Sequence, residues 1–124
     1  MENKKSTHLR GVEGENLAVG FLQKSGYVIL GRNYRSFRGE IDIIALDGDV
    51  LVFIEVKAWS SYSIENLQYS INKKKCKKII ETAKYFLQNH RKYIESNIRF
   101  DVVFVGTPNI THIKAAFTEN ICQE

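Results

Sequence analysis

Two short segments decide how this 124-residue chain folds: Gly-Glu-Ile-Asp-Ile-Ile at residues 39–44 and Val-Phe-Ile-Glu-Val-Lys at residues 52–57. Both are rich in β-branched and aromatic residues, which favour strands. Asp47-Gly48-Asp49 lies between them and is typical of a turn. The sequence therefore predicts an antiparallel hairpin with charged residues inside apolar runs. Carboxylates rarely occupy such runs unless they are paired or hold a metal.

The turn determines which residues of the hairpin face one another. If Gly48-Asp49 forms a two-residue turn, Asp42 faces Glu55 and Glu40 faces Lys57. A turn one residue earlier makes Asp42 the diagonal neighbour of Glu55 instead. Both registers place the four charged side chains on one face at the open end of the hairpin, because side chains alternate between faces. A three-residue loop would separate them. The opposite face is predicted to be apolar and to carry Ile41, Ile43, Ala45, Val50, Val52, Ile54 and Val56.

Two facing carboxylates repel one another unless a positive charge lies between them. Lys57 is one candidate for that charge. A hard divalent cation is the better candidate, since Mg²⁺ binds one or two carboxylates and keeps several waters. The alternative is a structural ion pair of Glu40 with Lys57, which would only determine the register of the strands.

An ordered set of motifs connects this chain to a known group of proteins. Asp42, followed after about a dozen residues by Glu55-x-Lys57, resembles the core of the PD-(D/E)XK nuclease superfamily. More closely, the chain resembles the YraN-type family of small endonuclease-like bacterial proteins. The resemblance covers most of the chain and rests on Gly14-Glu15 with Ala18, Gly26-Tyr27, Arg32-Asn33, Gly39-Glu40-Ile41-Asp42, Phe53-Ile54-Glu55-Val56-Lys57, a helix with Lys75, Arg99-Phe100-Asp101-Val102-Val103 and Ala116-Phe117.

The resemblance implies metal-dependent hydrolysis of phosphodiester bonds in DNA, branched or single-stranded. Asp42 and Glu55 would hold Mg²⁺ or Mn²⁺, and Glu15 on the first helix would join them unless it is an ordinary exposed glutamate. Lys57 would orient the attacking water or stabilise charge on the phosphate. Glu40 would lie beside these residues and support them from the second shell. The implied fold is a restriction-endonuclease-like α/β sandwich.

Positive charge is concentrated in the second half of the chain. Residues 63–124 carry 10 basic and 6 acidic residues, whereas residues 1–62 carry 8 of each. Lysines at the start of a predicted helix form the main cluster, and two arginines precede the hairpin. The residues predicted to contact nucleic acid, rather than only to face solvent, are Lys73, Lys74, Lys75, Lys77, Lys78, Arg35 and Arg38. Phosphate contacts of this kind are independent of base sequence and sensitive to salt.

Two other functions fit the same residues. The first is a module that binds nucleic acid without cutting it, and the second is a protein–protein adaptor whose charges only stabilise the fold. A homodimer is expected by analogy with branched-DNA nucleases of related fold.

Composition predicts one domain over residues 1–124, with residues 1–8 and 118–124 frayed. No apolar run is long enough to span a membrane and no signal-peptide core is present, so a cytoplasmic protein is expected. Cys76 and Cys122 lack metal-ligand spacing, and no histidine is expected to be a ligand.

The predicted order of elements is helix–strand–strand–strand–helix–strand–strand. The first helix covers about residues 9–24, carries Leu17, Ala18, Phe21 and Leu22 at the spacing of a core-facing side, and ends at Gly26. A short strand follows at 27–30, and 33–37 is extended. The apolar stripe of the second helix contains Ile71, Ile79, Ile80, Ala83, Phe86 and Leu87. Strands are expected at 100–105 and, at a sheet edge, at 110–117. This order is typical of a mixed β-sheet with helices on its faces.

Overall fold

The computed structural model describes residues 4–58, 72–106 and 109–119, with side chains from residue 11 onward. The elements follow the predicted order. They are α1 (Lys4–Lys24), β1 (Val28–Ser36), β2 (Gly39–Asp47), β3 (Val50–Ala58), α2 (Lys73–Asn89), a 3₁₀ turn (Arg91–Tyr93), β4 (Ile98–Val105) and β5 (Ile110–Phe117). Residues 4–8, expected to be frayed, are the first residues of α1, and residues 1–3 and 120–124 lie outside the description.

The five strands form one mixed sheet in the order β1-β2-β3-β4-β5. All neighbours are antiparallel except β3 and β4, which are parallel. A parallel pair needs a crossover connection, and α2 lies in the connection between these two strands. The predicted α/β architecture, a mixed sheet with helices on its faces, is confirmed. The predicted edge position of the last strand is confirmed as well.

The α1 helix packs on one face of the sheet through a stripe of small residues. Gly14, Ala18 and Leu22 are buried at a spacing of four, which places them on one side of the helix. A Cβ atom on Gly14 would lie 4.0 Å from the Cβ of Val105, an ordinary van der Waals distance, so α1 lies against β4 there. Leu17, considered as a core residue from the sequence, is 57% exposed because it lies outside this stripe.

The α2 helix packs on the other face. Asn72 caps its start, since the Asn72 side chain accepts a hydrogen bond from the backbone N–H of Lys75 at 2.9 Å. The predicted apolar stripe is confirmed for its described members, while Ile71 lies outside the described residues. The stripe contacts an aromatic cluster of Phe53, Phe100, Phe104 and Phe117.

The hairpin of β2 and β3 has the predicted two-residue turn. Its pairs run from Asp47–Val50 to Ile43–Ile54, as that register requires. Side-chain alternation agrees with the prediction except at Ile41, which packs on the α2 face rather than with Ile43 on the α1 face. Because a helix packs on each face of the sheet, an isoleucine at position 41 is buried whichever face of β2 it occupies. The apolar pattern therefore tolerates a break in alternation at Asp42.

Candidate active site

The break in alternation lies where β2 and β3 stop pairing. Beyond Ile43–Ile54 the next pair of the ladder would join Asp42 to Glu55. Instead, the backbone N–H of Val56 donates to Oδ2 of Asp42 at 2.8 Å. The β1 residue opposite this point is Asn33, whose φ of 53° is rare for a residue other than glycine. A carboxylate therefore takes the place of a backbone partner at the open end of the hairpin.

Asp42 and Glu55 converge at this point. Only 6% of the Glu55 side chain is exposed. Burial and the negative charge of Glu55 raise the pKa of Asp42 to about 7, even though the Val56 N–H lowers it. A hydrogen bond between the two carboxyl groups, which needs a proton on one of them, contributes further to the rise in pKa. The sequence thus predicted correctly that these two acids face each other.

Two lysines provide the positive charge beside these acids. The Lys75 ammonium lies 2.5 Å from Oε1 of Glu55. Burial lowers the pKa of Lys75, but the hydrogen bond and charge of Glu55 outweigh that effect and raise it. The pKa of Lys57 is lowered by burial and by the hydrogen bond and charge of Lys75. Lys75 therefore neutralises Glu55 directly, and Lys57 lies close enough to Lys75 to be affected by it.

The position of Lys75 separates it from the other lysines of its cluster. Lys73, Lys74, Lys77 and Lys78 are exposed on α2, whereas Lys75 is partly buried against β3. From the sequence, all five were predicted to contact nucleic acid. The spacing along the helix was a signal for the difference, because Lys75 is one residue before buried Cys76 and four before buried Ile79.

Glu15 and Glu40 have partners of their own. Oε1 of Glu15 accepts hydrogen bonds from Nε of Arg32 at 3.0 Å and from Nδ2 of Asn33 at 2.9 Å. Oε2 of Glu40 accepts from Nε of Arg35 at 2.8 Å, so the predicted pairing of Glu40 with Lys57 is replaced by a pairing with β1. Glu15 still adds to the rise in the pKa of Asp42. Within residues 11–58, 72–106 and 109–119, no three metal-binding side chains lie close enough together to hold an ion.

Two cavities meet at Asp42. One, of about 420 Å³, lies on the α1 side, and its wall includes Glu15, Arg32 and Asn33. The other, of about 390 Å³, lies on the α2 side, and its wall includes Glu55, Lys57 and Lys75. Asp42 and Glu40 contribute to both walls. The open end of the hairpin is thus accessible from both faces of the sheet.

A second charged cluster lies on the α1 face of the sheet. Asp101 is fully buried and lies in hydrogen-bonding contact with Arg99, His112 and the backbone N–H of Ala115. Arg99 also donates to the hydroxyl of Tyr27 at 2.6 Å and to Asp47 at 3.0 Å. Asp101 thus lies beside Arg99 on the sheet face opposite Phe53 and has a structural role there.

These observations define a small α/β protein with a carboxylate–lysine cluster at the rim of a mixed sheet. Neither described helix has the length and apolar character needed to cross a membrane. Residues 14–105 match the model of the family described as "Uncharacterised protein family UPF0102", and the chain belongs to that family.

Relatives of the same description come from distant bacteria. The UPF0102 protein of Treponema denticola is 46% identical over 121 residues, covering 86% of this chain and 93% of the relative. The Persephonella marina protein is 45% identical over 109 residues, covering 88% and 93%. The Pseudomonas aeruginosa protein is 34% identical over 123 residues, covering 94% and 98%.

Proposed function

We propose that this protein is a metal-dependent nuclease that hydrolyses phosphodiester bonds in DNA. The observation that carries the proposal is the convergence of Asp42 and Glu55 beside Lys57 at the rim of the sheet. Their spacing resembles the core of the PD-(D/E)XK superfamily, and the element order is compatible with a restriction-endonuclease-like sandwich. We also propose that the protein acts in the cytoplasm.

The donor set fits a hard divalent cation. Asp42 and Glu55 present carboxylate oxygens, and their mutual repulsion raises the pKa of Asp42. Mg²⁺ and Mn²⁺ accept one or two carboxylates and complete their shell with water. Glu15, held by Arg32 and Asn33, joins the set only if it leaves those partners. When bound, the cation supplies positive charge for the scissile phosphate and makes water more acidic.

The lysines carry the remaining chemistry of the proposal. Because its pKa is lowered, Lys57 gives up a proton more readily than an exposed lysine, so it suits the task of orienting water and moving a proton. Lys75 serves as the internal counter-ion of Glu55 while no metal is bound. Glu55 would have to release this ammonium in order to hold a metal, and Lys75 would then be available to contact the phosphate.

The exposed basic residues attract the nucleic acid. Lys73, Lys74, Lys77 and Lys78 lie on α2, which borders the cavity of Glu55, and Arg35 and Arg38 lie at the nearby end of β1. Their contacts with phosphate would not depend on base sequence and would weaken steeply with salt. This surface favours nucleic acid over a protein partner, and it equally suits the alternative in which the protein binds without cutting.

A cleavage assay separates the two functions. Wild-type protein, Glu55→Gln and Lys57→Met are incubated with single-stranded, forked and duplex DNA in Mg²⁺ or Mn²⁺, and the products are separated on denaturing gels. Asp49→Asn is the matched control, because Asp49 is an exposed acid at the closed end of the same hairpin. We expect Glu55→Gln to lose about 10³-fold in rate, which corresponds to ~4 kcal/mol of barrier.

The control variant should cleave at the wild-type rate. If the wild type binds these DNAs and cuts none of them, the protein is a nucleic-acid-binding module and not a nuclease. If Glu55→Gln cleaves as fast as wild type, the proposed site is wrong.

A further inference from the structure

The turn between β1 and β2 exposes a phenyl ring to solvent. Phe37 is 86% exposed, the largest exposed fraction among the large apolar side chains of the described residues. Leaving such a ring in water forgoes the free energy that burial would provide, and it contributes no packing to the core. The ring is therefore accessible to a binding partner.

The turn that presents Phe37 is held firmly. Ser36 and Gly39 pair across it. The Ser36 hydroxyl lies 3.1 Å from the Thr82 hydroxyl and accepts the backbone N–H of Arg38 at 3.1 Å. Gly39 approaches α2 so closely that an added Cβ would lie 3.2 Å from the Cβ of Lys78. Phe37 is thus presented on a turn that is fastened to α2.

The surroundings of Phe37 are positively charged. The Arg38 guanidinium lies 4.9 Å from the centre of the ring, and its own ion pair with Glu81 is long, at 3.7 Å. Lys78 lies beside Gly39, and Arg35 on the adjacent strand is exposed although its Nε donates to Glu40. An aromatic ring among basic side chains matches a ligand with flat bases and negative phosphates.

The turn also adjoins the candidate active site. Gly39, its last residue, lines the cavity of Glu55 and Lys57, three positions before Asp42. A nucleic acid whose phosphate lies at the acids therefore passes close to the turn. In a perfect duplex the bases are stacked on one another, and separating them costs a few kcal/mol per step. An unpaired base can stack on Phe37 without this cost.

We infer that Phe37 stacks on an unpaired base of a nucleic acid that lies along the basic residues beside the cavity of Asp42 and Glu55. The inference rests on the proposed function and narrows its substrate to DNA with a single-stranded or splayed segment at the turn of Phe37. Phe37 is a binding residue in this account, and Arg38 holds the adjacent backbone.

The test measures binding in EDTA, so it does not depend on cleavage. Kd is measured by fluorescence anisotropy for single-stranded, forked and fully duplex DNA, using wild type, Phe37→Ala and Phe37→Trp. Leu17→Ala is the control, because Leu17 is also exposed but lies on α1. A fork carrying 2-aminopurine at the junction reports stacking by fluorescence quenching.

We expect Phe37→Ala to weaken binding of single-stranded and forked DNA about tenfold, or ~1.4 kcal/mol. Duplex binding should change less than twofold, quenching should disappear, and Phe37→Trp should retain both affinity and quenching. An equal loss on all three DNAs, no loss on any, or a Phe37→Ala effect on self-association alone overturns the inference.

The failure of this inference is distinguishable from failure of the nuclease proposal. If the wild type cleaves no DNA but Phe37→Ala loses affinity selectively for single-stranded and forked DNA, the inference about Phe37 stands and the nuclease proposal fails. If the wild type cleaves DNA and Phe37→Ala binds all three DNAs as tightly as wild type, the nuclease proposal stands and the inference about Phe37 fails.

Discussion

Asp42 and Asp101 are both carboxylates within apolar strands, but the protein surrounds them in opposite ways. Asp101 receives hydrogen bonds on both oxygens, from Arg99 and from the backbone of Ala115, and contacts His112 at 2.8 Å. Burial raises its pKa, but the hydrogen bonds of His112 and Arg99 outweigh that effect and lower it. Asp42 has the N–H of Val56 as a donor and the negative charge of Glu55 nearby, and its pKa rises to about 7.

The difference separates an acid whose oxygens accept several protein hydrogen bonds from an acid held against a second carboxylate. A carboxylate whose oxygens are satisfied by protein donors has its role within the fold. Asp101 therefore holds β5 to β4 where the pairing of these strands is irregular. A carboxylate held next to a second carboxylate lowers the stability of the folded protein. Groups with pKa values perturbed in this way are frequent at functional sites. The comparison therefore predicts opposite responses to the same substitution.

The largest expected effect is on stability at Asp101. We expect Asp101→Asn to lower the free energy of unfolding by about 3–5 kcal/mol, because it breaks a buried ion pair and leaves Arg99 without its buried carboxylate partner. Urea denaturation followed by circular dichroism measures the change. Asp47→Asn is the control, since it removes a more exposed partner of the same arginine and should cost about 1 kcal/mol or less. Equal losses in the two variants would contradict the structural role of Asp101.

The next effect concerns Lys75 as the internal counter-ion. We expect Lys75→Met to bind Mn²⁺ about tenfold more tightly than wild type, or ~1.4 kcal/mol, because no ammonium then competes for Glu55. Isothermal titration calorimetry measures the affinity. Lys74→Met removes an exposed charge one residue away and serves as the control. Weaker binding in Lys75→Met than in Lys74→Met would show that Lys75 does not compete with the metal.

A smaller effect is expected at Asp42 in metal-free buffer. Its folded pKa is raised, so its contribution to stability is fully present below its ordinary pKa of 3.8 and is lost as pH rises through about 7. Asp42→Asn should therefore stabilise the protein at pH 8 by about 1–2 kcal/mol after allowance for solvent screening, and by less at pH 5. Asp101 has the opposite sign, since its lowered pKa gives stability that is lost as pH falls below its ordinary value.

Thermal unfolding of Asp42→Asn and of the Asp49→Asn control, measured in EDTA from pH 5 to pH 8, tests this sign. A pH-independent difference between Asp42→Asn and wild type would mean that Asp42 is not held in an unfavourable charged state.

Local chemistry made the hairpin and its register predictable. Asp47-Gly48-Asp49 predicted the turn and left two registers open, and the observed pairs are those of the turn at Gly48-Asp49. The face of Ile41 was not predictable, because helices cover both sides of β2 and the apolar pattern permits either. Leu17 was misplaced because the buried side of α1 is the one that carries Gly14, Ala18 and Leu22, and hydrophobicity alone does not distinguish the two sides.

The partners of the charged residues depended on the tertiary structure. The spacing of Lys75 from Ile79 indicated the apolar side of α2, but only the docking of the helix onto β3 brings Lys75 to Glu55. Glu15 lines the same cavity as Asp42, as expected, but its carboxylate accepts hydrogen bonds from the side chains of Arg32 and Asn33. Such pairings join residues far apart in the chain, so turn chemistry and periodicity carry no information about them.

Direct measurement of metal binding tests the central claim, that Asp42 and Glu55 together hold a divalent cation. Mn²⁺ is titrated into wild type, Asp42→Asn, Glu55→Gln and the Asp49→Asn control, and free Mn²⁺ is followed by electron paramagnetic resonance. The account predicts saturable binding in wild type and in the control, and a loss of at least about tenfold in affinity in each of the other two variants. Undiminished binding in Asp42→Asn and Glu55→Gln, or no saturable binding in wild type, would contradict it.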